Sequence, residues 1–98
     1  NLGEGVEHEQ RGKRPAVVVS RELPGNLIII VPLTTKKKKW PTIVKIEKGD
    51  GGLKETSFAM CHQIRCISEK RIEGKIGKIK LETIRKIKVV LIDIFELE

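Results

Sequence analysis

The sequence predicts a mainly β domain that closes with one α-helix. Two short apolar runs, residues 16–19 and 27–31, are rich in the β-branched residues that favour strands. Near the C-terminus, apolar residues recur at steps of three and four, which is the period of an amphipathic helix. The chain has 98 residues, 39% of them hydrophobic, and a typical domain holds roughly 100–200 residues. We therefore expect a single domain over residues 1–98.

The first half of the chain predicts three strands separated by a turn and a loop. Residues 1–14 are polar and rich in glycine, which indicates a loop leading into the first apolar strand. Residues 22–26 contain the proline, glycine and asparagine of a tight turn. The second apolar run continues to residue 34, and after four consecutive lysines a third strand spans residues 42–46.

The second half predicts two more strands and the helix. Residues 48–52 indicate a turn, and residues 57–67 indicate a longer strand with a break near His62. Residues 68–71 fit one helical turn, and residues 74–79 fit a short final strand. The apolar stripe of the helix is predicted to consist of Leu81, Ile84, Ile87, Leu91, Ile94 and Phe95.

The first two strands carry apolar residues on both faces. In a small barrel one face fills the interior, so the other face must be covered as well. One helix of about 16 residues cannot cover every outer face. A second copy of the protein is the economical cover, and we therefore expect a homodimer.

The composition also excludes several classes of protein. No apolar run approaches the ~18 residues that a membrane span requires, and residues 1–5 contain no basic and apolar leader. We therefore expect a cytoplasmic protein with no membrane partner.

In an extended strand Cys61 and Cys66 would lie roughly 16 Å apart, too far for a disulfide unless the chain turns between them. A Cys-x4-Cys pair is only half of a zinc site, so buried, reduced thiols are expected.

The positive charge is concentrated in one segment. The net charge is +7, and residues 35–48 contain six lysines and one glutamate, which gives +5 of that total. A basic block of this kind favours phosphate-rich partners, above all nucleic acid. A solvated loop that keeps an isoleucine-rich protein soluble explains the charge equally well.

A charged motif precedes the first apolar strand. Residues 8–15 are His-Glu-Gln-Arg-Gly-Lys-Arg-Pro. This segment resembles the start of the MazF/PemK/Kid toxins, the mRNA interferases of toxin–antitoxin pairs, whose mark is Glu-Gln-x-Gly-x-Arg-Pro before a β-branched strand. Later segments agree in order, namely Val-Pro-Leu-Thr-Thr at residues 31–35, Pro41, Gln-Ile-Arg at residues 63–65 and Ile-Gly-Lys-Ile at residues 76–79. The resemblance covers nearly the whole chain.

The resemblance implies an SH3-like small barrel of the CcdB/MazF/Kid type, assembled as a dimer. Members of the family usually begin with a short strand before the Gly-Glu loop. We expect that strand to be missing from this sequence, which would open an edge of the sheet.

The resemblance also implies an endoribonuclease that cuts single-stranded mRNA at specific sequences without a metal ion or any other cofactor. The ribose 2′-hydroxyl attacks the adjacent phosphate and leaves a 2′,3′-cyclic phosphate and a 5′-hydroxyl. The implied protein partner is a MazE-like antitoxin whose acidic, flexible tail lies in the RNA groove.

Four residues are candidates for the catalytic positions. Arg14 matches the catalytic arginine of the family, and its planar, permanently charged guanidinium suits two phosphate oxygens in the transition state. Thr34 matches the active-site threonine, whose hydroxyl can bond a phosphate oxygen or the 2′-hydroxyl. His8 and Glu9 stand where some relatives use a histidine and a glutamate. His8 would shuttle a proton, and Glu9 would act as a base or orient Arg14.

The other candidates are expected to bind RNA, because ammonium groups follow phosphates and an indole can stack on a base. They are Gln10, Thr35, Lys36, Lys37, Lys38, Lys39, Trp40, His62, Gln63 and Arg65. Met60 and His62 stand where one branch of the family has an arginine and an aspartate, so the branch that relies on arginine and threonine fits better. Packing of Trp40 against the barrel and a structural role for His62 stay open.

Two other functions remain as alternatives. A non-catalytic, basic nucleic-acid-binding module would bind RNA without cutting it, and its affinity would fall steeply with salt. A CcdB-like gyrase poison on the same fold would act on a protein instead, although the Arg-Pro motif gives that function no support.

Overall fold

The computed structural model describes the backbone of residues 5–9 and 14–96, and the side chains of residues 14–96. These residues form seven strands, one α-helix and three short 3₁₀ turns. The strands are β1 (Gly5–Glu9), β2 (Pro15–Val18), β3 (Leu27–Thr34), β4 (Ile43–Ile46), β5 (Ser57–Met60), β6 (Arg65–Ser68) and β7 (Ile72–Lys78), and the helix is α1 (Leu81–Phe95). The 3₁₀ turns are Asp50–Gly52, Cys61–Gln63 and Glu69–Arg71. The predicted class, mainly β with a C-terminal helix, is confirmed.

The strands form one antiparallel, hydrogen-bonded sheet in the order β4-β5-β3-β2-β1-β7, and β6 also pairs with β3. Within residues 5–9 and 14–96, β4 and β7 do not pair with each other, so hydrogen bonds do not close the sheet into a ring. The arrangement is compatible with an SH3-like small barrel. No helix in this part of the chain is long and apolar enough to cross a membrane.

A strand occupies part of the segment that was predicted to be a loop. β1 lies between β2 and β7, with Val6 opposite Val17 on one side and opposite Gly77 on the other. β2 therefore has a hydrogen-bonded partner strand on each side and is not an open edge of the sheet. The cause is non-local, because the backbone groups of β2 and β7 need hydrogen-bond partners and nothing in the polar sequence of residues 1–14 reveals this need.

The long strand predicted over residues 57–67 is broken near His62, as expected. Leu33 of β3 faces Ala59, whereas Ile30 faces Arg65. Leu33 and Ile30 are three residues apart on β3, whereas their partners Ala59 and Arg65 are six residues apart in the chain. The turn Cys61–Gln63 accommodates the three extra residues. In this turn His62 and Gln63 are exposed, whereas Cys61 is buried in the core.

A hydrophobic core lies between α1 and the sheet. The helix buries Ile84, Ile87 and Leu91 in a cluster that includes Val31 and Leu33 of β3. Burial of each large aliphatic side chain stabilises the fold by roughly 1.5–3 kcal/mol. The predicted face of the helix is therefore the face that packs.

The predicted stripe is too long at its two ends. Leu81 is 59% exposed and Phe95 is 63% exposed, whereas Thr83 is buried at the start of the helix. Periodicity determines which face of a helix is apolar, but the length of that face that is covered depends on the sheet beneath it. The ends of the stripe lie beyond that cover.

A second, smaller apolar cluster uses the other face of β2 and β3. It contains Ala16, Val18, Ile28, Ile30 and Ile67, all between 0% and 3% exposed, with Ile72 of β7 packed against it. A single chain therefore covers both apolar faces of these strands, and they do not require a second copy as a cover. Four of the exposed large apolar side chains that the structure describes lie on α1 instead, namely Leu81, Val89, Ile92 and Phe95.

A buried carboxylate joins the turn Asp50–Gly52 to the start of α1. Asp50 accepts a hydrogen bond from the Lys80 backbone N–H at 2.8 Å and another from the Thr83 hydroxyl at 2.5 Å. A carboxylate at this end of a helix satisfies a free N–H group and complements the helix dipole. The turn also packs closely against β7 at Gly77. A Cβ atom at this position would lie only 2.5 Å from the carbonyl oxygen of Gly51. Only glycine allows this approach.

The two cysteines are free, as expected, but only one of them is buried. Burial raises the pKa of the Cys61 thiol to about 11, because the thiolate would lose its hydration. Cys66 is exposed on β6, so the expectation of two buried thiols is wrong for Cys66. Its strand pairs with β3 on one side, and alternation directs this side chain to solvent.

We expect iodoacetamide at pH 8 to alkylate only Cys66 in the folded protein, and both thiols in urea. The reactive species is the thiolate, which the raised pKa keeps scarce at Cys61 until the pH approaches about 11. Mass spectrometry would count one adduct before denaturation and two after it. The Cys66→Ser variant is the control, since it should take up no label while folded, and rapid labelling of this variant would contradict the assignment.

Candidate active site

A pocket of about 440 Å³ lies at the C-terminal end of β3. Its walls come from the start of β2, the end of β3 and the loop after it, and from β5 with the turn that follows. The lining residues are Arg14, Pro15, Leu33, Thr34, Thr35, Lys36, Lys38, Ser57, Met60 and Gln63. Six of the predicted site residues thus meet in one pocket, namely Arg14, Thr34, Thr35, Lys36, Lys38 and Gln63.

The register of the sheet explains why Arg14 and Thr34 meet. Ala16 faces Pro32 in the antiparallel pair of β2 and β3. Continuing this register by two residues brings Arg14 opposite Thr34, which in turn faces Phe58 of β5. The arginine therefore lies at the mouth of the pocket, where it is exposed.

The pocket is electropositive. Arg14, Lys36 and Lys38 contribute three cationic groups, and none of the described side chains that line the pocket carries a carboxylate. The Lys36 backbone N–H donates to the Thr34 hydroxyl at 3.2 Å, which anchors the start of the lysine loop beside the threonine. Such a site favours an anion with several oxygens, because guanidinium, ammonium and hydroxyl groups can all donate to it.

Trp40 and His62 form a separate cluster beside this pocket. Their ring centroids are 5.4 Å apart at an interplanar angle of 64°, and the Thr42 hydroxyl is 2.8 Å from Nδ1 of His62. Nζ of Lys38, which also lines the pocket, lies 5.3 Å from the centre of the Trp40 ring. The sequence predicted both residues as RNA contacts, but only the structure brings them together.

Besides Trp40 and His62, three more of the predicted RNA-binding residues lie outside the pocket lining. Lys37 and Lys39 are exposed in the loop between β3 and β4. Arg65 begins β6, where it faces Ile30 of β3. None of these three residues contributes to the walls of the pocket.

Residues 8–10 are described only in part. His8 and Glu9 belong to β1, with His8 opposite Pro15, a pocket residue. Their side chains, and the whole of Gln10, lie outside the described residues. Backbone pairing thus places β1, which contains His8 and Glu9, next to β2, which begins at Pro15.

Ser57 was not predicted as a pocket residue. It is 2% exposed and donates a hydrogen bond to the Glu55 carbonyl at 3.0 Å. Ser57 precedes Phe58, the partner of Thr34, so the pairing of β3 with β5 brings it to the pocket. No local signal marks such a residue, because the two strands are more than twenty residues apart in the chain.

Comparison with known proteins agrees with this architecture. Residues 1–95 match the family described as "PemK-like, MazF-like toxin of type II toxin-antitoxin system". The chain is 28% identical over 92 residues to "Endoribonuclease EndoA" of Bacillus subtilis (strain 168), and the match covers 89% of this chain and 79% of that protein.

Two solved structures have the same fold. One is an endoribonuclease in complex with its cognate antitoxin from a mycobacterial species, with a TM-score of 0.84, 22% identity and coverage of 100% of this chain and 97% of that one. The other is the Mycobacterium tuberculosis toxin MazF-mt6, with a TM-score of 0.82, 20% identity and coverage of 96% and 98%. Because the family match spans nearly the entire sequence, the chain belongs to the PemK-like, MazF-like toxins of type II toxin–antitoxin systems.

Proposed function

We propose that this toxin is an endoribonuclease that cuts single-stranded mRNA at specific sequences without a metal ion or other cofactor. The observation that carries the proposal is the pocket that unites Arg14 and Thr34 with Lys36 and Lys38 and presents no described carboxylate. A pocket of this charge attracts anionic groups such as a phosphodiester and repels cations. Family membership and the resemblance to EndoA support RNA as the source of that phosphodiester.

The proposed reaction is an internal transfer at one phosphate. The ribose 2′-oxygen attacks phosphorus and loses its proton to a base, while the bond from phosphorus to the 5′-oxygen breaks and that oxygen takes up a proton. The products are a 2′,3′-cyclic phosphate and a 5′-hydroxyl. Arg14 stabilises the additional negative charge on the phosphorane with two parallel N–H donors, and the Thr34 hydroxyl holds a phosphate oxygen or the attacking 2′-hydroxyl.

Proton transfer is assigned to the segment before Arg14. Histidine is the side chain most often used to move a proton near neutral pH, and His8 is the histidine of this segment. Glu9 is the candidate base, or the group that orients Arg14. The register of β1 supports the assignment, since His8 faces Pro15, the residue next to Arg14.

The RNA on either side of the cleaved phosphate would bind along the protein surface around the pocket. A second pocket of about 290 Å³ shares Pro15, Thr35 and Ser57 with the first, so the two pockets adjoin, and we take them together as the RNA groove. Lys37, Lys39 and Arg65 extend the basic surface, and Gln63 offers an amide that can donate to a phosphate or a base edge. We expect Gln10 to bind RNA as well, because of its place in the motif.

The proposal includes two protein partners. An antitoxin of the MazE type would lay an acidic, flexible tail in the groove, because carboxylates satisfy the same cations as phosphates. A mycobacterial relative is an endoribonuclease in complex with its cognate antitoxin. A second copy of the toxin would cover the apolar side chains that α1 exposes, namely Leu81, Val89, Ile92 and Phe95.

The test is to incubate the purified protein with a long single-stranded RNA in the presence of EDTA and to map the fragment ends. We expect cuts at a restricted set of sequences at an unchanged rate, since Arg14 replaces the charge that a metal ion would supply. The fragments should accept a kinase label at their 5′-hydroxyls without prior phosphatase treatment.

Three results would contradict the proposal. The first is cutting that EDTA abolishes and Mg²⁺ restores, and the second is a set of fragments with 5′-phosphates. The third is RNA binding without any cutting, which would identify a nucleic-acid-binding module instead. An RNA of the same length held as a duplex is the control, and it should stay intact.

A further inference from the structure

We propose that the Trp40 indole is a stacking platform for one nucleobase of the bound strand, next to the nucleotide whose phosphate occupies the Arg14 pocket. The inference rests on the proposed function and adds to it a residue that binds a base without taking part in the reaction. Its substrate is a single strand with an unpaired base, because a base within a duplex has no free face.

The exposure of Trp40 is the first observation behind this inference. The side chain is 55% exposed, and it is the only tryptophan in a chain that has no tyrosine. A large indole left in water costs free energy that a partner with a flat, apolar face would recover. A nucleobase has such a face, and stacking on a tryptophan tolerates any base.

The second observation is that neighbouring groups hold the platform in place. The Trp40 carbonyl accepts a hydrogen bond from the Ile43 backbone N–H at 3.0 Å, which closes the turn that leads into β4. The rings of His62 and Trp40 pack in a T-shaped arrangement, and the Thr42 hydroxyl lies 2.8 Å from Nδ1 of the histidine. A ring that is already ordered loses little conformational entropy when a base stacks on it.

The third observation is that the platform adjoins the pocket from two directions. Lys38 lines the pocket while its ammonium lies 5.3 Å from the Trp40 ring. Gln63 lines the pocket, and His62, its neighbour in the same 3₁₀ turn, contacts the indole. When one phosphate of the bound RNA contacts Arg14, a neighbouring nucleotide of that RNA therefore lies at Trp40.

The charge around the ring favours a nucleotide over an apolar protein segment. Lys37 and Lys39 are exposed on the same loop, and the ammonium of Lys38 lies over one face of the ring, which leaves the opposite face for a base. A stacked nucleotide brings its own phosphate to these ammonium groups, so both parts of the ligand gain contacts.

The experiment uses short deoxyribonucleotide strands, which have no 2′-hydroxyl and therefore cannot be cut. The probes are six-residue strands of dA or dT, and a six-residue abasic strand with the same phosphates but no bases. Because Trp40 is the only tryptophan in the chain, the intrinsic fluorescence of the parent protein reports on this residue directly. We expect dA and dT strands to quench the emission and the abasic strand to leave it nearly unchanged.

Affinities of the Trp40→Leu variant for the same strands complete the test. We expect the base-bearing strands to bind about 5- to 150-fold more weakly than to the parent, whereas binding of the abasic strand should not change. Trp40→Phe, which keeps an aromatic face, should recover part of the loss. Equal weakening of all three strands would overturn the inference, because it would mean that Trp40 supports the loop and binds no base.

Quenching by an acidic peptide but not by the base-bearing strands would overturn the inference as well, since the platform would then belong to a protein partner. The two levels of the proposal can fail separately. If the parent cuts RNA and Trp40→Leu binds base-bearing strands normally, only the platform is wrong. If the parent cuts no RNA in EDTA, the proposed function is wrong whatever the strands do.

Discussion

Replacing Arg14 with alanine is expected to abolish RNA cutting, with kcat lowered by at least about 100- to 1000-fold. The guanidinium lies in the pocket with Thr34 and two lysines, and no other described side chain there can donate two parallel hydrogen bonds to a phosphorane. Its charge matters most when the phosphate gains negative charge, so kcat should fall much more than binding. Cleavage of a long single-stranded RNA and binding of a deoxyribonucleotide strand would separate the two effects.

Two further variants make this result specific. Arg14→Lys keeps the charge but loses the planar fork, and it should recover only part of the activity. Arg21→Ala removes the same charge from an exposed position outside the pocket, and its activity should stay near that of the parent. Normal cutting by Arg14→Ala would refute the mechanism, provided that its far-ultraviolet circular dichroism shows an intact fold.

Replacing Asp50 with alanine is expected to lower the free energy of unfolding by about 2–4 kcal/mol. Asp50 and Thr83 are only 6% and 9% exposed. The substitution removes the acceptor for the Lys80 N–H and leaves the Thr83 hydroxyl buried without that partner. It also removes the carboxylate that complements the start of α1. Urea denaturation, followed by circular dichroism, would measure the loss.

The other end of the same helix supplies the control for Asp50. Asp93 is exposed in the last turn of α1, so Asp93→Ala removes an equal charge but no buried hydrogen bond. Its stability should change by less than about 0.5 kcal/mol. Asp50→Asn should fall between the two variants, because an amide oxygen can still accept one of the bonds. Equal stabilities of Asp50→Ala and the parent would mean that the turn contributes nothing to the helix.

The identity of the elements was predictable because the signals for them are local. β-branched runs indicated β2 and β3, and spacing of three and four indicated α1. The motif at residues 8–15 identified Arg14, and the pocket contains that residue together with Thr34. The break near His62 was predicted as well, and it is the turn Cys61–Gln63.

Other features required the folded chain. Nothing in the polar segment before β2 indicates that β1 pairs on both of its edges, and no pattern links Asp50 to Lys80, the residue thirty positions later that precedes the helix. The contact of Trp40 with His62 depends on three extra residues between β5 and β6, which change the register on β3.

The amino-acid order by itself determined which segments become strands or helix and which side chains are available for chemistry at a phosphate. Only the tertiary structure decided which of those side chains share a pocket, which apolar faces the chain itself covers, and that the indole of Trp40 remains exposed to water. The physical reason is that propensity and periodicity act over a few residues, whereas strand register and burial are set by the packing of the whole chain.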